Sequence, residues 1–223
     1  MDFNLKSIQT ALFIKEFDVD KANIYNFPNE IKSYSSIFDG DPFFTNVPSD
    51  APKDIPRLIL KSKDDRYNCN ISLNRVDLFQ NNLKKDLSLE EQKEAIKSIF
   101  NFLEKKKITI NRVGFIGNFL TIIEEQTSAE YINSEFIKED ALKNPRELII
   151  NYSKRTKQEE INFNVFLRLL GKNEKNLNLQ IDVNTIQEDM ETNVFNERDF
   201  FNILDYSVKE IEKIKNEFPI INI

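Results

Sequence analysis

ISLNRVDLF at residues 71–79 and ITINRVGFI at residues 108–116 are near-repeats, and they decide how this chain is expected to fold. Each segment has the pattern of one β-strand that runs through an Asn-Arg pair. The helical pattern of residues 88–106 lies between them. The repeat places Arg75 and Arg112 in equivalent settings, but it does not indicate which reaction, if any, the protein catalyses.

The order of patterns along the chain predicts an α+β fold. A first group of strand patterns precedes the helix of 88–106 and covers residues 5–14 and the hairpin 57–73. A second group precedes a final helix from about residue 198 and covers residues 108–123, 146–153, 160–170 and 176–184. A phase change near Arg112–Gly114 indicates a β-bulge. We expect a single domain over residues 1–223, a two-layer sandwich in which an antiparallel sheet carries two long helices on one face. Its pseudo-repeated halves would span about 1–107 and 108–223.

Residues 25–56 differ from the rest of the chain because they hold five of its seven prolines. Proline is excluded from helix interiors and central strands, so the segment is predicted to be an extended, aromatic-rich arm. Phe43 and Phe44 are its adjacent phenylalanines. They either pack on the body of the protein, as buried aromatics do, or bind a partner.

Composition narrows the function classes. The net charge is −6, and the basic residues do not cluster as a phosphate-binding face requires, so nucleic acid is not an expected partner. No apolar run is long enough to span a bilayer, and MDFNLKSIQ does not have the pattern of a signal peptide. The single cysteine, Cys69, is typical of a reducing compartment. We expect a cytoplasmic protein.

The chain has no histidine, which removes the Ser-His and Cys-His nucleophile pairs and His-ligated zinc sites. Its four glycines form no phosphate-binding loop. Cys69 has the strand phase of its apolar neighbours, which predicts a buried hydrophobe. We therefore expect no cofactor and favour a non-enzyme.

The two Asn-Arg pairs are the first candidate site. Arg75 and Arg112, supported by Asn74 and Asn111, could present paired guanidinium groups to a carboxylate or phosphate. Alternatively, each Asn-Arg pair lies at the polar phase of a strand, and Arg75 pairs with Asp77 or with an acid on a neighbouring strand.

Two carboxylate pairs, Asp18/Asp20 and Asp39/Asp41, could supply oxygen ligands to Mg²⁺ or Ca²⁺. Neither continues into the series of an EF-hand calcium loop. For both pairs we favour ordinary turns, in which Asp and Gly are common, over metal ligation.

The hairpin RLILKSKDDRYNCNISLNRVDLF, the helix that follows it and INRVGFIGNF together resemble a sporadically distributed bacterial family of uncharacterised proteins. The similarity covers about residues 57–120. The resemblance carries no activity and no functional residue to this chain. Patchy occurrence implies accessory genes, such as those of defence or toxin–antitoxin systems.

These observations favour a non-catalytic protein-binding or assembly protein that pairs with another protein or with itself. Half-buried strands leave edges that must be covered or paired, and we predict a homodimer through one of them. Two alternatives remain open. One is a metal-dependent phosphoester hydrolase that uses Asp and Glu, and the other is a small-ligand binder with an apolar pocket.

Overall fold

The computed structural model describes residues 2–15, 23–48, 50–81, 87, 89–137, 144–190 and 193–217. Within these ranges the chain forms one antiparallel sheet of nine strands together with four α-helices, which confirms the mixed α+β class. The strands β1 to β9 are Asn4–Ile14, Phe43–Phe44, Leu58–Lys61, Tyr67–Ile71, Arg75–Asn81, Ile110–Ile122, Glu147–Gln158, Ile161–Lys172 and Asn176–Thr185.

The first strand of the chain lies inside the sheet, not at its edge. The strand order is β2-β3-β4-β5-β1-β6-β9-β8-β7. β5 and β6, which carry the two arginines of the repeat, are therefore both hydrogen-bonded to β1. Phe13 of β1 is in register with Arg75 on one side and with Arg112 on the other.

The four helices α1 to α4 are Phe27–Lys32, Leu89–Lys105, Ser128–Ile132 and Glu197–Glu217. The two long helices touch where the ring of Phe100 stacks on that of Phe200, with centroids 5.0 Å apart. Gln92 of α2 donates to the hydroxyl of Thr10 in β1 at 3.1 Å. A side chain at Gly117 of β6 would come within 3.3 Å of Ile211, so α4 packs closely on that strand.

Side chains alternate along the strands as the sequence predicts. In β8, Phe163, Val165, Leu167 and Leu169 are buried. The residues between them belong to a second set that is partly exposed, and that set continues across the register onto the neighbouring strands. We call this second surface the open face. It includes the strand positions of Arg75, Asp77, Arg112, Asn164, Phe166, Arg168, Asp182 and Asn184.

The segment 71–79 is not one strand, contrary to the prediction. β4 ends at Ile71, and β5 begins at Arg75. Ser72 closes the turn between them, because its hydroxyl and its amide both donate to the carbonyl oxygen of Arg75, at 2.8 and 2.9 Å. Serine and asparagine favour turns through such local hydrogen bonds.

The predicted bulge lies one residue earlier than expected. Phe13 pairs with Arg112, whereas the next residue of β1, Ile14, pairs with Ile110. Asn111 is the extra residue. It explains why the buried positions of β6 change parity there.

The proline-rich arm is less extended than predicted, since it contains α1 and the short strand β2. Pro28 stands in the first turn of α1, where a missing backbone N–H costs nothing. Phe27 and Phe38 are fully buried, and the ring of Phe27 meets that of Phe102 in α2 at 4.7 Å. Much of the arm therefore packs on its own chain.

Candidate functional site

Arg75 and Arg112 meet at the ring of Phe13. The guanidinium carbon of Arg75 lies 4.9 Å from the ring centroid, and that of Arg112 lies 4.5 Å from it. The cause is the sheet order, because β1 separates the two arginine-bearing strands and brings Phe13 between them. An aromatic ring attracts cations at such distances, so Phe13 stabilises two like charges in close proximity.

Arg75 is neutralised by its own strand. Its Nε and Nη2 donate to Oδ1 of Asp77 at 2.9 and 2.7 Å, and the side-chain amide of Gln9 donates to the same oxygen at 2.8 Å. For this residue the geometry is that of the alternative interpretation, a strand arginine paired with Asp77. A ligand anion would have to compete with that carboxylate.

Among the described residues, the hydrogen-bond partners of Arg112 are neutral. Its Nε donates to the backbone carbonyl of Thr185 at 3.2 Å, and its Nη2 donates to Oδ1 of Asn184 at 3.1 Å. Among the described residues, no carboxylate lies within ion-pair distance of it. Partial burial is the main influence on the Arg112 guanidinium and lowers its pKa; Asp182 opposes this effect, and Arg75 adds to it.

Asp182 completes this row of polar groups. Its Oδ1 accepts a hydrogen bond from the side-chain amide of Asn184 at 3.1 Å. Burial raises the pKa of the Asp182 carboxyl, and this effect outweighs the lowering by Asn184 and by Arg112. The row Asp77, Arg75, Phe13, Arg112, Asn184 and Asp182 thus crosses four strands of the open face.

The two asparagines of the repeat do not join this row. Asn74 lies in the turn before β5, where its backbone carbonyl accepts from the amide of Ile14 at 3.0 Å. Asn111 is the bulge residue, and its buried Oδ1 has no hydrogen-bond partner in the part of the chain that the structure describes. The near-repeat therefore brings its two arginines, but not its two asparagine side chains, into this row.

An open depression of about 560 Å³ lies beside Arg112, lined also by Asn164, Phe166, Gln187 and Glu188. Phe166 is 42% exposed although it is a large apolar side chain. The carboxylate of Glu188 pairs with Arg155 at 3.0 Å, and both side chains remain largely exposed. The depression thus combines a cation, an aromatic ring and two amides, one from β8 and one from the short helix Gln187–Asp189 that follows β9.

Phe43 and Phe44 have different environments. Phe43 is 60% exposed, whereas Phe44 packs against the core and its ring lies 5.0 Å from that of Tyr25. The pair forms β2, which is hydrogen-bonded to β3 at one end of the sheet. Of the two rings, that of Phe43 is therefore the more accessible to a partner.

The sheet ends on its other side with β7, a strand of 12 residues. Among the described residues, β7 pairs with β8 alone. Ile149 and Tyr152 of this strand are 40% and 38% exposed. Lys154 is held by Glu210 of α4 through an ion pair of 2.6 Å. The outer side of β7 is a long row of backbone groups next to exposed apolar side chains.

The carboxylates considered as metal ligands have structural surroundings where the structure describes them. Asp39 accepts a hydrogen bond from the backbone amide of Lys63 at 2.8 Å, and Gly40 lies so close to the carbonyl of Lys61 that a side chain would clash at 2.8 Å. The described ranges contain no group of three or more Cys, Asp or Glu side chains that could hold a metal ion. Asp18 and Asp20 lie outside them.

Cys69 lies on the buried side of β4 and is fully buried. Burial raises the pKa of its thiol, and Asp77 adds to the rise. The thiol is therefore a poor nucleophile at neutral pH, as its strand phase predicts.

No helix in the described part of the chain is long and apolar enough to cross a membrane.

Sequence reasoning missed Phe13, Asn184 and Asp182, because their proximity to the arginines depends on which strands are neighbours. Phe166 had a local signal. It stands at the polar phase of β8, between Asn164 and Arg168, where an aromatic residue is unexpected. No protein-family model matches the chain, and the comparison with curated proteins found no match.

Proposed function

We propose that this protein is a non-catalytic binding and assembly protein that forms a homodimer through β7. The observation that carries the proposal is the outer side of β7, a 12-residue strand that ends the sheet. Such an edge presents unpaired N–H and C=O groups, and it is a natural template for another strand. A second copy of the same chain supplies a strand of matching length.

The charges along β7 are compatible with antiparallel self-pairing. Glu147 stands at one end of the strand, and Arg155 and Lys157 stand towards the other. A two-fold axis across an antiparallel pair sets the start of one strand beside the end of its partner. Opposite charges then approach one another at both ends. Ile149 and Tyr152 lie on opposite faces of β7, and a partner strand would cover part of each side chain.

Static light scattering of the purified chain at micromolar concentration tests this proposal. We expect twice the mass of the chain. Ile149→Lys adds a fourth basic side chain to a strand that already carries Lys154, Arg155 and Lys157, so repulsion between the two copies should yield a monomer. Ile122→Lys is the matched control, because Ile122 is 62% exposed but belongs to β6, which is paired on both sides. A monomeric wild type, or equal dissociation by both substitutions, would contradict the proposal.

We further propose that the chain is one domain with two layers and pseudo-repeated halves, in which α2 and α4 cover the same side of the sheet. Three contacts support the layers: Gln92 to Thr10, Ile211 over Gly117, and Lys154 to Glu210. The placement of Arg75 and Arg112 on either side of Phe13 supports the repeat.

The single cysteine favours work in the cytoplasm, and the resemblance over residues 57–120 favours a bacterial accessory system such as defence or toxin–antitoxin.

A further inference from the structure

We infer that the depression between Arg112 and Phe166 is a binding site for a small molecule that carries an oxyanion on a planar ring. This inference goes beyond the proposed assembly through β7 and does not depend on it. It rests on three observations: the bonding state of Arg112, the lining of the depression and the difference between the two arginines.

The first observation is that Arg112 retains donors for a ligand. A guanidinium has five N–H donors in a planar fork, and the two contacts of Arg112 go to neutral oxygens of Thr185 and Asn184. These contacts fix the orientation of the group without neutralising it. Partial burial removes some of the hydration of this cation, and no described carboxylate lies within ion-pair distance to compensate. A bound anion would supply that ion pair.

The second observation is the chemistry of the other walls. The exposed ring of Phe166 offers a flat apolar surface on which a planar group can stack. The side-chain amides of Asn164 and Gln187 have no hydrogen-bond partner among the described residues, so they can bind the polar edge of such a group. A volume of about 560 Å³ lies within the range of small-molecule sites.

The third observation distinguishes this site from the rest of the row. Arg75 is already paired with Asp77, so the charge available for a ligand belongs to Arg112. Glu188 also lines the depression, but its carboxylate is paired with Arg155. Two acids near the site, Glu188 and Asp182, disfavour highly charged ligands such as triphosphates. The oxyanion is therefore a carboxylate or the phosphate of a monoester.

Nuclear magnetic resonance titration of the isotope-labelled chain of 223 residues tests the inference with four probes. Benzoate and adenosine monophosphate carry both a ring and an oxyanion; benzamide carries the ring alone, and inorganic phosphate carries the oxyanion alone. With benzoate, adenosine monophosphate or both, we expect saturable chemical-shift changes at Arg112, Phe166 and Gln187. Benzamide and inorganic phosphate should each bind at least about tenfold more weakly. Tighter binding of benzoate would identify a carboxylate ligand, and tighter binding of the nucleotide a phosphate ester.

Three variants make the test specific. Arg112→Gln should weaken the ring-bearing anions at least about tenfold, and Phe166→Ala, a change at an exposed ring that leaves the fold intact, should weaken them but not inorganic phosphate. Arg168→Gln is the matched control, on the same face but outside the lining, and should change nothing. The inference fails if no probe gives saturable shifts, if inorganic phosphate binds as tightly as the ring-bearing anions, or if Phe166→Ala has no effect.

Discussion

Replacing Phe13 by leucine tests whether the ring holds the two arginines together. Leucine keeps most of the apolar contact but lacks the electron-rich face that attracts both guanidinium groups, at 4.9 and 4.5 Å from its centre. A cation–π contact contributes about 0.5–1 kcal/mol when exposed and about 2 kcal/mol when desolvated. Because Arg75 and Arg112 are both partly buried, Phe13→Leu should lower the free energy of unfolding by about 1–3 kcal/mol.

The assay is urea unfolding of a double-mutant cycle between Phe13→Leu and Arg112→Met. Methionine keeps an apolar stem. The loss of the hydrogen bonds to Thr185 and Asn184 cancels in the cycle, because Arg112→Met removes them both in the wild type and in the Phe13→Leu background. We expect a coupling energy of about 0.5–2 kcal/mol between Phe13 and Arg112. A parallel cycle with Arg168→Met should show additivity within about 0.3–0.5 kcal/mol. If the cycle with Arg112 is equally additive, the ring does not stabilise the cluster and our reasoning is refuted.

Three further predictions concern packing, reactivity and pH. Gly171→Ala should lower the free energy of unfolding by about 1–3 kcal/mol, because the new Cβ would lie 2.5 Å from the carbonyl oxygen of Ser128. Gly114→Ala is the control: its Cβ would make only ordinary contacts, so it should lower the free energy of unfolding by less than half as much in the same urea assay. Native Cys69 should resist iodoacetamide at pH 8 and react once urea unfolds the chain; fast alkylation of the folded protein would contradict its burial. The raised pKa of Asp182 means that the folded state binds its proton more tightly than the unfolded state, so the contribution of this group to stability rises as the pH falls through the folded pKa. Asp182→Asn should therefore raise the free energy of unfolding more at pH 7 than at pH 3.5. A gain that does not change with pH would contradict a raised pKa for Asp182 in the folded state.

Local patterns in the sequence were sufficient for most of the secondary structure. Alternation in β8 and β9 and the periodicity of α2 report directly on which side of an element is buried. The turn at Ser72–Asn74 was missed because Leu73 continues the apolar alternation of β4, while the turn depends on hydrogen bonds made by the serine. Pro28 was taken as a helix breaker, although at the first turn of α1 it is a helix starter.

The neighbours of a strand cannot be read from its own residues. The repeat indicated that Arg75 and Arg112 are equivalent, but nothing in either segment predicts that β1 lies between them. Phe13 therefore had no local signal. Arg112 differs from Arg75 for the same reason, since Asp77 is two residues away on the same strand, while Asn184 and Thr185 come from β9, more than 70 residues later.

Hydrogen–deuterium exchange of β7 tests the assembly proposal most directly. Amide protons on the outer side of an unpaired edge strand exchange rapidly, and pairing with a second copy protects them. We predict that protection of residues 147–158 increases with protein concentration from nanomolar to micromolar, while protection of β2 at the other end of the sheet does not. Ile149→Lys should remove this dependence. Protection of β7 that is independent of concentration, or concentration-dependent protection confined to another strand, would contradict assembly through this edge.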